Sequence, residues 1–259
     1  MKTVLTTGLC LGATMIFAQT ALELTTAEAF TVPEVGTLPY RQRLTPNLPQ
    51  GQKVPLILFL HGLGECGNDN AAQLKHGVAD LITFADANGG ALIIAPQCPE
   101  GEKWVSNIDP KAATHTMPAE PSAPMKLVLA LLNEKTEKMP VDPDRIYVTG
   151  LSMGGYGTWD IIQRRPKLFA AALPICGGGD PTLTSAIKGI PVWIFHGAAD
   201  DTVPVARAHD MRAALKAAGG SVQYREYEGV GHDSWTQTYA DPDVLKWLLG
   251  QRRQNEQKN

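Results

Sequence analysis

Arg145-Ile146-Tyr147-Val148-Thr149-Gly150-Leu151-Ser152-Met153-Gly154-Gly155 decides how this chain is read. The first five residues form a short run rich in β-branched and aromatic side chains, the pattern of a buried strand. A serine follows, with glycines two positions before and after it, and a helical pattern over residues 154–165 begins at once. A serine between a strand and a helix stands on a tight turn in strained backbone geometry, with its hydroxyl presented outward. The flanking glycines let strand and helix approach without Cβ clashes. Free N–H groups at the helix start can meet an oxyanion formed beside the serine. Ser152 is the candidate nucleophile.

The same alternation continues on both sides. Residues 54–60 (VPLILFL), 91–95, 170–175 and 191–195 read as buried strands, and 221–227 alternates like a strand nearer a sheet edge. Helical patterns cover residues 70–87, 122–139, 204–218 and 242–249. The expected fold class is α/β, a mostly parallel central sheet with helices on both faces. One catalytic domain is expected over residues 30–250, followed by a polar tail at 251–259. Residues 176–190 are too short a connection to hold a separate lid domain. The long aperiodic connection 96–123 is expected to wall an open cleft, with Trp104 as an aromatic substrate platform.

An activated serine needs a histidine base, and that histidine needs a carboxylate to orient it. On a strand–serine–helix turn of this type the chain order is serine, acid, histidine. His196 precedes the acid candidates, and His209 lies inside a helical stretch. His232, in Gly229-Val230-Gly231-His232 just past the last strand, is the candidate base. The loop after residues 191–195 offers two adjacent acids, Asp200 and Asp201. The second oxyanion donor should come from the loop after VPLILFL, His61-Gly62-Leu63-Gly64-Glu65. The backbone N–H groups of Leu63 and Met153 are the expected pair. His61 is expected to fix this loop, and Glu65 either to bind a polar substrate group or to tie down the backbone.

Composition narrows the partners. Among 259 residues, Lys+Arg 23 against Asp+Glu 26 gives a net charge of −3, so no basic surplus is available for a nucleic-acid backbone. With 44% hydrophobic residues and aperiodic glycines, the chain is neither disordered nor collagen-like. Lys2 followed by an apolar run over residues 4–18 has the layout of a signal peptide, assigned to residues 1–29 with Ala27-Glu28-Ala29 as the cleavage site. The run is short for a bilayer-spanning helix. A secreted or periplasmic protein with no membrane span after cleavage is expected. No cysteine or histidine spacing matches a zinc site, so neither metal nor cofactor is expected.

His61–Glu65, Gly67-Asn68-Asp69-Asn70, Pro96-Gln97-Cys98-Pro99, Asp142-Pro143-Asp144-Arg145 and Gly150–Gly155 together resemble the α/β-hydrolase superfamily. The likeness is to its branch of secreted phospholipase/carboxylesterase-like enzymes, also described as predicted peptidases. Feruloyl esterases, acetylxylan esterases and dienelactone hydrolase are similar but more distant. In the resembling enzymes the acid lies three residues after the glycine of a His-Gly pair, with Val-Pro three residues further on. Gly197, Asp200 and Val203-Pro204 match, which selects Asp200 and leaves Asp201 near the next helix start. Dienelactone hydrolase carries cysteine where this chain has Ser152, so its activity is not expected here. The resemblance also sets Cys66 and Cys98 on neighbouring strand ends, compatible with a bridge that leaves Cys176 free. It implies a serine carboxylesterase working through an acyl-enzyme on small-molecule, aryl or carbohydrate-linked esters. The alternatives are a serine peptidase of the prolyl-oligopeptidase-like type and a non-catalytic binding protein on a hydrolase scaffold.

Overall fold

The structure is a computed structural model that describes residues 20–112 and 114–253. The basic start and apolar run of the expected leader, and residues 254–259 of the tail, lie outside them.

The seven residues of β3 (Val54–Leu60) are all buried, as a strand at the centre of a two-faced sheet requires. Alternate side chains serve opposite faces: Leu56, Leu58 and Leu60 join one hydrophobic cluster, Ile57 and Phe59 the other. Around β3 assemble β1 (Thr26–Val32), β2 (Gly36–Leu44), β4 (Leu92–Pro96), β5 (Val141–Leu151), β6 (Ala171–Ile175), β7 (Val192–Gly197) and β8 (Val222–Tyr227). The sheet order is β1-β2-β4-β3-β5-β6-β7-β8. Strands β3 to β8 pair in parallel, while β1 and β2 form an antiparallel hairpin attached antiparallel to β4.

The helices are α1 (Ala21–Leu24), α2 (Val78–Ala87), α3 (Ala123–Lys138), α4 (Met153–Arg164), α5 (Ala206–Ala217), α6 (Trp235–Ala240) and α7 (Pro242–Gly250). Buried residues of α3, α4 and α5 pack on one face of the sheet, and those of α2, α6 and α7 on the other. The α/β-hydrolase architecture expected from the sequence is the one observed. Local chemistry sets the helix starts: Ser122 Oγ accepts from Met125 N–H at 3.2 Å, and Asp241 Oδ1 from Asp243 N–H at 2.9 Å. The helix expected over residues 70–87 begins only at Val78. Gly77, at φ 70°, breaks the periodicity, and a Cβ there would lie 2.4 Å from the Tyr239 ring.

The expected boundary after Ala29 meets the first hairpin of the sheet. A cut after Ala29 falls in the middle of β1, where Thr26 to Ala29 pair with Gln42 to Pro39. Arg43 Nη1 donates to Leu24 O at 2.9 Å, Arg41 Nη1 to Thr25 O at 3.1 Å, and Ala21 is buried. Residues 21–24 form α1, and residues 26–29 pair with β2. Among the described residues, no helix is long and apolar enough to cross a membrane.

Candidate active site

Three strand ends converge on one cavity. Ser152 joins β5 to α4 at φ 54°, ψ −117°, a left-handed conformation unusual for a residue with a Cβ. The turn closes because residue 154 is glycine: a Cβ there would sit 1.9 Å from Leu60 O. The strained backbone is held from behind, with Ser152 N–H donating to Ile175 O at 2.9 Å and to Cys176 Sγ at 3.3 Å.

His232, in the loop after β8, and Asp200, in the loop after β7, complete a continuous chain. His232 Nε2 lies 2.8 Å from Ser152 Oγ, and Nδ1 lies 2.7 Å from Asp200 Oδ2. A carboxylate oxygen only accepts, so Nδ1 carries the proton and Nε2 is left to accept from the serine hydroxyl. Asp200 is fully engaged. Its Oδ1 accepts from Thr202 N–H at 2.9 Å and Val203 N–H at 2.8 Å, and its Oδ2 also lies 3.2 Å from His196 Nε2. Burial on its own would raise this carboxyl. Hydrogen bonds from His196, His232 and the Val203 N–H outweigh it and hold Asp200 well below the usual carboxylate range.

The adjacent Asp201 is exposed, its Oδ1 accepting only from Thr202 Oγ1 at 3.3 Å. Its expected place at a helix start is not occupied, because α5 begins at Ala206 after Val205, with no side-chain cap.

Leu63 and Met153 both line the cavity beside Ser152, Met153 being the first residue of α4. The turn Leu63–Glu65 that carries the first of them is fastened by motif residues. His61 Nδ1 donates to Gly62 O at 2.6 Å, while Nε2 accepts from Cys98 N–H at 2.8 Å. Gln97 Nε2 donates to Glu65 O at 3.2 Å and Asp69 Oδ1 at 2.7 Å, and its Oε1 accepts from Asn70 N–H at 2.7 Å. Burial pushes the His61 imidazole down to about 4, against a smaller opposing effect of its bond to Gly62 O. Glu65 is itself buried, with Oε1 3.5 Å from His76 Nε2.

Trp104 is not a substrate platform. It is completely buried, donates Nε1–H to His61 O at 3.0 Å and packs edge-on against that imidazole. Its size and long-loop setting are those of a packing residue as well as of a platform, and sequence could not separate the two. Trp235, which the sequence reading passed over, lines the cavity together with Tyr156; it stands edge-to-face with His232, ring centroids 5.3 Å apart. Its one sequence signal is its position three residues past His232. Lys103, Ile108 and Pro110 bring the 96–123 connection to the cavity, and Leu63, Met153, Tyr156 and Val203 supply further apolar wall around about 380 Å³.

The bridge between Cys66 and Cys98 is absent: Cys66, Cys98 and Cys176 are free thiols. The neighbouring thiols act on each other, lowering Cys66 and, together with burial, raising Cys98. Burial also raises Cys176. Among the described residues, Cys176, Asp200 and His232 bring three possible metal-ligand atoms within 4.8 Å of one another. Two of these residues are already hydrogen-bonded to each other, and the third is a buried thiol that accepts from Ser152 N–H.

The model of the dienelactone hydrolase family matches residues 47–243. A putative esterase of Nocardia uniformis subsp. tsuyamanensis is 32% identical over 161 residues, covering 61% of this chain and 43% of that protein. An uncharacterized secreted protein of Arthroderma benhamiae is 26% identical over 237 residues, 77% of this chain and 23% of its own. The chain thus spans less than half the length of both curated relatives. The crystal structure of a thermostable esterase superposes with a TM-score of 0.83 at 37% identity, covering 90% of this chain and 64% of that one.

Proposed function

The chain belongs to the dienelactone hydrolase family of α/β-hydrolases, and from that premise we propose that it is an exported serine carboxylesterase with Ser152, His232 and Asp200 as its triad. The observation that carries the reading is the unbroken hydrogen-bonded chain Ser152–His232–Asp200 at the wall of an apolar cavity. Ser152 Oγ attacks the ester carbonyl as His232 Nε2 takes its proton. Asp200 holds the Nδ1–H tautomer and stabilises the imidazolium that forms. The Leu63 and Met153 N–H groups receive the oxyanion. His232 then protonates the departing alcohol, and water repeats the sequence on the acyl-enzyme. The serine at position 152, where dienelactone hydrolase uses cysteine, favours esters of ordinary carboxylic acids within this family.

The cavity suits a compact, dispersed ester. Its aliphatic and aromatic wall, Tyr156 and Trp235 included, fits an apolar, aryl or sugar-linked group. Export is supported by the Lys2-led apolar run and by the secreted relative. With β1 part of the fold, leader removal upstream of residue 20 leaves the sheet intact, and N-terminal sequencing of exported protein checks this position.

Ser152→Ala tests the function directly. Hydrolysis of a p-nitrophenyl ester should fall by several orders of magnitude, leaving about 10³–10⁴ over water, and fluorophosphonate labelling should vanish. Full activity in that variant removes the mechanism. A wild-type protein that takes no label favours the binding-protein reading, and short peptides cleaved faster than matched esters favour the peptidase.

A further inference from the structure

His196 stands one bond beyond the triad. It closes β7, is completely buried, and was set aside as a base because it precedes the acid in the chain. Its Nε2 faces two acceptors, Val203 O at 2.9 Å and Asp200 Oδ2 at 3.2 Å. Both need a donor, so the proton sits on Nε2. The other nitrogen, Nδ1, is buried and has no hydrogen-bond partner among the described residues. A buried ring nitrogen left empty is unfavourable, and the ring accepts this while keeping its donor on the carboxylate. The oxygen it meets, Oδ2, is the same one that receives the His232 Nδ1–H.

We infer that His196 is a positioning residue that shares the triad carboxylate with the base, fixing Asp200 Oδ2 on the line to His232 and drawing charge from it. This rests on the assignment of Asp200 as the triad acid. A carboxylate oxygen that accepts two N–H bonds is oriented from two directions and cannot rotate away when His232 becomes charged. It is also a weaker proton acceptor, so the proton gained by His232 stays on the imidazole. Charge that His196 draws from Oδ2 no longer stabilises the imidazolium. Loss of this donor therefore moves the acid limb of kcat/KM to higher pH. The other titratable or charged groups near the pair are Cys176 at the end of β6, Tyr156 on α4, Arg207 on α5, Glu226 on β8 and Asp233 beside the base. All remain in the variants below, so a shift reports on residue 196.

The test compares His196→Asn with His196→Gln, two amides of similar burial. The Gln amide nitrogen reaches the place of Nε2, and the shorter Asn nitrogen does not. His196→Asn should lower kcat by about ten- to a hundredfold, the worth of one hydrogen bond to a charged group. KM should hardly change, and the acid limb should move upward. His196→Gln should restore most of kcat and return the limb toward wild type. Equal kcat and equal limbs in the two variants overturn the inference and leave His196 as a fastening for the Val203 loop. Should neither variant fold, the wild-type protein still decides. Histidine-labelled ¹H–¹⁵N spectra should show residue 196 protonated on Nε2 and bare on Nδ1, with that signal shifting when a fluorophosphonate occupies Ser152. A proton on Nδ1, or a signal blind to the adduct, overturns it. If Asp200→Asn is itself fully active, the triad assignment fails first, a result separate from a silent His196→Asn.

Discussion

The chain carries two His-Gly pairs at the carboxyl ends of strands, His61-Gly62 after β3 and His196-Gly197 at the end of β7, and their buried rings are bonded in opposite ways. His61 has both nitrogens filled by backbone groups, one donating to Gly62 O and one accepting from Cys98 N–H. His196 has one nitrogen on a carbonyl and a carboxylate, and the other empty. The first arrangement exists only with a neutral ring, because a second proton would meet the Cys98 N–H head-on. It joins the turn of the expected oxyanion donor to the 96–104 segment. The second arrangement reaches a charged group that takes part in the proposed reaction. One side of the site is thus held by neutral backbone bonds, the other by charge-assisted ones. Damage to the first should appear mainly in stability, damage to the second mainly in turnover.

The strongest break falls on the charged side. Asp200→Asn should keep the fold yet lower kcat by about 10⁴, since the amide holds the wrong His232 tautomer; steady-state kinetics on a p-nitrophenyl ester with circular dichroism as a control checks both halves. An unaffected kcat would erase the contrast. On the neutral side, His61→Leu strands the Cys98 N–H and frees the Gly62 turn, and urea unfolding should register a loss of roughly 2–4 kcal/mol.

Titration sharpens the same contrast. The folded pKa of His61 is depressed, so the unfolded chain takes up its proton first as pH falls. Stability contributed by the neutral ring is complete above about 6.5 and declines until pH reaches the folded value of about 4. Over that window the loss should be about 3 kcal/mol, and this component should be missing from His61→Leu. A stability profile of the same shape in both proteins would show that His61 is not the group responsible. The smallest effect belongs to Asp201, one residue from the acid yet exposed. Asp201→Asn should leave kcat near wild type and stability within about 0.5 kcal/mol, measured beside Asp200→Asn.

Most of the sheet was legible because buried parallel strands are continuous apolar runs, and VPLILFL or RIYVT admits few other readings. The hairpin β1–β2 was not, since its mostly exposed and half-buried residues lack such a run, and Ala27-Glu28-Ala29, read as a cleavage site, lies within its edge strand. Ser152 and His232 could be proposed because a turn and a chain order constrain them; the loop narrowed the acid to Asp200 or Asp201, and only the resemblance chose between the two. Trp104 and Trp235 could not be told apart, because which tryptophan faces the cavity depends on how the 96–123 connection folds over the body. His196 escaped for a related reason: a rule of order excludes it as the base and says nothing of what else it touches.

The serine and its partner histidine are 80 positions apart, and the histidine and its aspartate 32. Synthesis runs from the N-terminus, so the strained turn at Ser152 is complete in the growing chain long before residue 232 exists. Contacts this distant in sequence carry a large loop-closure cost before they are rewarded. During synthesis and any transit across a membrane, the nascent chain therefore carries a serine with no base beside it. On the proposed mechanism, the serine has its base only once the segment that carries residue 232 has folded onto β7 and β8.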